Sequence, residues 1–104
     1  NGALAEQFVA QELMSLLGGS EPHWWKRDTK NAQAEVDFIV SLDGRVQPIE
    51  VKSGAAGRLK SLHQLLKESP SVNDAIVLSS AQFGEMPEQR LRFIPIYFAG
   101  AIGN

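Results

Sequence analysis

The sequence of 104 residues has no cysteine. That excludes a disulfide framework and a zinc-thiolate site. No apolar run approaches the ~20 residues that cross a bilayer, so no membrane span is expected. There is no Asn-X-Ser/Thr sequon and no readable signal peptide. A cytoplasmic domain is therefore the expectation. Excess positive charge is missing too: 10 Lys and Arg stand against 12 Asp and Glu, a net −2. This argues against a general-purpose nucleic-acid binder, whose footprint is strongly basic, but leaves room for a local acidic site with a local basic rim. No Ser-His-Asp set, Gly-rich nucleotide loop or GxxxxGK[ST] motif is present.

What the chain does have is an ordinary globular composition, 43 % hydrophobic and 21 % charged. At this length one modest core is expected. The opening Asn1-Gly2-Ala3 lacks an initiator Met, which suggests a piece of a longer chain. Residues 3–17 read as a helix, with Phe8, Val9, Leu13, Leu16 and Leu17 on one broad face and Gly18-Gly19 as a stop. Residues 23–27 are a short strand and 28–34 a polar loop. Residues 35–42 and 45–52 form two strands joined at Asp43-Gly44, a strong two-residue hairpin signal. After the loop at 53–57, residues 58–69 carry Leu59, Leu62, Leu65 and Leu66 on one helical stripe. Residues 74–79 are a buried strand. Residues 91–98 are a last strand, where Pro95 marks an edge or a bulge. The order α-β-β-β-α-β-β predicts an α/β domain with a mixed central sheet flanked by helices, antiparallel early and parallel later.

The hairpin is the chemically informative part. A two-residue loop sets Leu42 opposite Arg45, and the same register puts Asp37 opposite Glu50 and Glu35 opposite Lys52. Alternation then places these four polar side chains on one face, with Val36, Phe38, Ile49 and Val51 on the other. Asp37 and Glu50 fall at a non-hydrogen-bonded pair, with Cα atoms about 4.5 Å apart. Like charges so placed are destabilising and call for a cation. Lys52 supplies part of it. Mg2+ or Mn2+ would supply more, since hard divalent ions prefer carboxylate and carbonyl oxygens, and the Val51 carbonyl is a further candidate ligand. Lys52 could then orient a water or stabilise transition-state charge. A Glu-X-Lys triplet alone is common, and a bulge near Pro48 would shift the register. On the first helix, Glu6 and Glu12 both lean toward the apolar face; periodicity does not choose between them, and either could instead sit at the rim and reach solvent.

These residues, Glu6, Asp37 and Glu50-Val51-Lys52, in an αβββαβ order, resemble the PD-(D/E)XK nuclease superfamily, with its restriction-endonuclease-like core. The strings GALAEQFVAQEL, AEVDFIV, IEVKSG and IPIYF are similar to the domain of unknown function that follows an AAA-type ATPase domain in many bacterial and archaeal proteins. The resemblance runs from Gly2 to Phe98. It implies that Glu6, Asp37 and Glu50 ligate Mg2+, that Lys52 is the catalytic lysine, and that Glu6 is chosen over Glu12. It also implies an ATPase domain upstream in the same chain. Ser53 follows the triplet as it often does in that family. Trp24-Trp25-Lys26-Arg27 stands where that branch has an aromatic-Trp-Arg segment.

Other positions bear on substrate. Lys26 and Arg27, with the Trp24-Trp25 pair, could meet a nucleic acid by charge and stacking; such a pair more often sits partly in the core. Arg58 and Lys60 open the second helix and could meet a phosphate there or simply be solvated. Arg90 and Arg92 could line a basic groove or guard an edge. His23 and His63 have no metal-ligand spacing. Three functions follow: a metal-dependent nuclease, a nuclease-like interaction or regulatory module of an ATPase that does not cut, and a nucleic-acid-binding domain without chemistry.

Overall fold

The computed structural model describes residues 2–18, 23–26, 35–42, 44–52, 59–80 and 83–102. In chain order these form helix α1 (Gly2–Leu16), strands β1 (His23–Lys26), β2 (Glu35–Leu42) and β3 (Arg45–Lys52), helix α2 (Lys60–Glu68), strands β4 (Ala75–Ser79) and β5 (Gly84–Met86), a 3-10 turn (Pro87–Gln89), strand β6 (Leu91–Pro95) and a terminal 3-10 helix (Ile96–Ala101). The strands make one mixed sheet in the order β1-β2-β3-β4-β6-β5. Pairing is antiparallel for β1 with β2, β2 with β3 and β5 with β6. It is parallel for β3 with β4 and β4 with β6. The α/β class and the change from antiparallel to parallel pairing agree with the sequence reading.

Each sheet face is covered by different elements. Val9 and Leu13 of α1 and Ala99 of the terminal 3-10 helix pack with Phe38, Val40, Ile49, Val51, Ile76 and Leu78. Leu62, Leu65 and Leu66 of α2 pack with Val36, Ala75, Val77 and Leu91 on the opposite face. Consecutive β4 residues thus enter opposite clusters, so all five are buried, as expected of a strand covered on both faces. The α1 stripe is narrower than its periodicity predicts: Val9 and Leu13 are fully buried, whereas Phe8 is 40 % exposed.

The hairpin closes as expected. Gly44 has φ +77, the left-handed conformation that a two-residue turn demands. The register then runs from Leu42↔Arg45 to Phe38↔Ile49. Pro48 does not disturb it. Opposite Ile39 it occupies a position whose backbone groups face β4 rather than β2, so no hairpin bond is lost. On the β4 side its missing N–H is made good by the neighbouring side chain: Gln47 Nε2 donates to the Asp74 carbonyl at 3.0 Å. Arg92 in turn donates to Gln47 Oε1 at 3.0 Å and pairs with Asp74 Oδ2 at 2.7 Å. Gln47→Ala is expected to cost about 1–2 kcal/mol by stranding that carbonyl, measurable as a lower urea midpoint with unchanged slope.

The chain's last third differs from the expectation. β6 stops at Pro95 and the chain turns into the 3-10 helix Ile96–Ala101, so the strand does not reach Phe98. Over Leu91–Phe93 β6 is not an edge, whereas Pro95 lies beyond that outer ladder. β5, unforeseen in the sequence, pairs outside it.

Candidate functional site

The site begins with an irregularity in β2. His23 pairs with Ile39 and Trp25 with Val36. One β1 residue between those pairs therefore opposes two on β2, Asp37 and Phe38, which is a β-bulge. Strict alternation breaks there: Val36 packs on the α2 side, while Phe38 and Val40 pack on the α1 side.

The bulge corrects the expected pairing. The β2–β3 ladder ends at Phe38↔Ile49, so Glu35 is not a ladder partner of Lys52; on its other edge it pairs with Lys26 of β1. Asp37 and Glu50 are not ladder partners. Direct opposition of two carboxylates is unfavourable, and the extra residue relieves it while keeping the two close. Their side chains take over the backbone bonds that the ladder gives up. The Val51 N–H donates to Asp37 Oδ2 at 2.9 Å, and the Asp37 N–H donates to Glu50 Oε1 at 3.4 Å. Lys52 Nζ lies 3.4 Å from Glu50 Oε2. The three residues read from the hairpin are thus brought together, by a route different from the one expected.

The electrostatics follow from this crowding. Burial, and then the Asp37 charge, push the Glu50 carboxyl from its ordinary 4.5 up to about 7. Lys52 and the Asp37 N–H pull it partly back. A raised carboxyl favours the folded state at low pH. Below about 4.5 both folded and unfolded chains hold the proton; as pH climbs to about 7 only the folded chain keeps it, and stability is lost. Glu50→Gln is therefore expected to match the parent near about pH 4 and to exceed its stability by up to about 3 kcal/mol near about pH 8, as read from urea unfolding at each pH.

Glu6 is the helix carboxylate that the resemblance favours over Glu12. It is exposed on α1, which packs on the face of Ile49 and Val51; by alternation Glu50 and Lys52 point to the other face. Glu12, the competing helix carboxylate, lies against the terminal 3-10 helix, where a Cβ on Gly100 would come 3.0 Å from its Oε1. Among the described residues no group of three or more His, Asp or Glu is arranged to hold a metal ion. Asp37 and Glu50 alone still suit Mg2+ or Mn2+ in donor type and charge, since Mg2+ is commonly held by one or two carboxylates with waters and phosphates completing the shell.

Arg27, Ser53 and Arg58 lie outside the described residues, as does the side chain of Lys26. Lys60 is exposed at the start of α2, and His63 is exposed on it. Arg90 and Arg92 border one shallow pocket, but Asp74 and Glu85 share its lining, so it is not a basic groove. Arg92 is bound to Asp74 and Gln47, and Arg90 is turned onto backbone carbonyls that follow and end α2. Arg90's structural role has no local signal, because its side-chain partners lie 17 to 24 residues away.

Fold and site together define a small mixed-sheet α/β domain with an acid-acid-lysine cluster where two hairpin strands part. The chain belongs to the family described as Domain of unknown function (DUF4143), which it matches over residues 1–98. No curated protein and no solved structure matches it. Among the described residues no helix is long and apolar enough to cross a membrane.

Proposed function

We propose that this domain is a PD-(D/E)XK-type nuclease unit that holds Mg2+ or Mn2+ at Asp37 and Glu50 and hydrolyses nucleic-acid phosphodiester bonds, attached to an AAA-type ATPase domain upstream in the same chain. The observation that supports this reading best is the gathering of Asp37, Glu50 and Lys52 at the bulge. A divalent ion bound there would polarise a phosphoryl oxygen and lower the pKa of a bound water.

The chain's own groups have separable tasks. The Val51 N–H fixes the Asp37 carboxylate, leaving its other oxygen to a cation. Glu50 releases its proton when a cation arrives, because positive charge opposes the burial that raised it. Lys52, on the Glu50 side of the strand, offers donors to negative charge building on the phosphoryl group. Glu6 and the Val51 carbonyl join the ligand set through the family resemblance. Lys26, Arg27, Ser53, Arg58 and Lys60 are assigned to the substrate backbone.

A second reading, a nuclease-like regulatory module that does not cut, is supported by the net charge of −2, since a nucleic-acid footprint is usually strongly basic. Mn2+ titration by calorimetry, with a cleavage assay on DNA and RNA, separates the two. Binding lost in Asp37→Asn together with metal-dependent cutting upholds the nuclease. Binding without cutting, even beside the ATPase, upholds the module, and no binding with no cutting refutes the metal site.

A further inference from the structure

A cavity lies away from the acid cluster, at the β5–β6 end of the sheet. It is an open groove of about 600 Å3 lined by Phe83, Phe93, Ile94, Phe98 and Ile102, with Glu85 and Arg92 among its polar residues. Phe83 and Phe98 meet edge to face at 4.8 Å, and Tyr97 adds a third ring 5.0 Å from Phe98. These rings remain in solvent: Phe83 is 61 % and Tyr97 75 % exposed. A contiguous aromatic patch of this kind marks an interaction surface more often than scattered apolar residues do.

Beside the groove runs β5, the last strand of the sheet on this side. All three of its residues are exposed. An edge strand leaves backbone N–H and C=O groups free to pair with an added strand. The charge on this edge decides what can be added. Glu85 faces Arg92 on β6, but that guanidinium is already engaged by Asp74 and Gln47. Among the described residues neither Glu85 nor Glu88 has a cationic partner. Two β5 edges meeting antiparallel about Glu85 would set like charges opposite each other, which disfavours a second copy. The same carboxylates repel a phosphate backbone, which disfavours base stacking on the rings.

We propose that β5 and the aromatic groove form a docking site for an extended protein segment. The segment adds to the sheet as a strand, sets a Lys or Arg opposite Glu85 and places an apolar side chain against Phe83 and Phe98. This site is independent of the proposed hydrolysis.

The test uses the full chain and a fluorescein-labelled synthetic peptide in which Lys and Phe stand two residues apart with Thr between them, so that an added strand carries both on the face of Glu85 and Phe83. A matched peptide with Glu in place of Lys, a single-stranded oligothymidylate and sedimentation of the protein alone complete it. The Lys peptide is expected to bind about tenfold more tightly than the Glu peptide, a difference of one well-placed charge pair. Glu85→Lys, an exposed substitution that leaves the core untouched, should reverse that order. Phe98→Ala should weaken both peptides, and the amides of residues 84–86 should gain hydrogen-exchange protection on binding. A peptide preference unmoved by Glu85→Lys, displacement by oligothymidylate, or self-association that buries β5 would each overturn the proposal.

Discussion

Replacing Arg90 with Met is expected to lower the free energy of unfolding by about 4 kcal/mol. Helix α2 ends at Ser69 without a left-handed residue or a glycine, and its only last-turn cation is Lys67. Its final carbonyls therefore need donors from elsewhere. Arg90 supplies them in trans. Nη1 donates to the Leu66 carbonyl at 2.9 Å, and Nη2 to Ser69 at 3.2 Å and to Val72. The guanidinium also places positive charge at the negative end of the helix dipole. Met keeps much of the stem's packing but strands several part-buried carbonyls at once. Lys should recover only a fraction of the loss, since a point-like ammonium cannot span acceptors that the planar fork reaches together.

Arg90 also sits at φ 59, a left-handed conformation that costs a non-glycine residue about 1–2 kcal/mol. Its own backbone is tied on both sides, with its N–H to Pro87 and its carbonyl accepting from Ala75. Arg90→Gly would relieve the strain and lose the guanidinium. A net destabilisation in Arg90→Gly, read from urea unfolding, is expected because the lost charge-assisted bonds outweigh the relief. A variant as stable as the parent would show the carbonyl contacts to be incidental.

The hairpin shows how far local rules reach. Asp43-Gly44 and the alternation around it specify the turn and five correct cross-strand pairs, Leu42↔Arg45 through Phe38↔Ile49. The rule fails at the next pair, where the site begins. The bulge that moves Asp37 is set by β1, and nothing in residues 35–52 encodes how a strand from residues 23–26 will pair with them. Yet Asp37 and Glu50 still meet, because a carboxylate can replace a strand carbonyl as acceptor. α2 was legible because its leucines repeat on one face. β5 was not, since Gly84-Glu85-Met86 has neither alternation nor length. Its pairing comes from β6 approaching it through the turn at Arg90. Pro95 signals an edge or a bulge in the sequence; in the fold it ends β6 and caps the 3-10 helix that follows.

Lys52→Ala is expected to reduce the proposed hydrolysis by about a hundred- to a thousandfold, the usual loss when one preorganised donor to transition-state charge is removed. Lys52 does two things that must be separated. It is the counter-charge of Glu50, 3.4 Å away, and it lowers a carboxyl that burial and Asp37 have raised to about 7. Removing it should raise Glu50 further, so that more of the site is protonated near neutral pH and the acid limb of the pH-rate profile moves upward. That effect vanishes once the medium is alkaline enough to ionise Glu50 in both proteins. A direct role in stabilising developing charge does not vanish there. The rate deficit of Lys52→Ala should therefore shrink as pH rises toward about 9 and then level off at a constant residual factor, with Mn2+ affinity in that range unchanged. Full recovery of the rate at high pH would reduce Lys52 to a counter-ion. A residual deficit, with Lys52→Arg restoring the acid limb but not the rate, would place its ammonium against the reacting phosphoryl group.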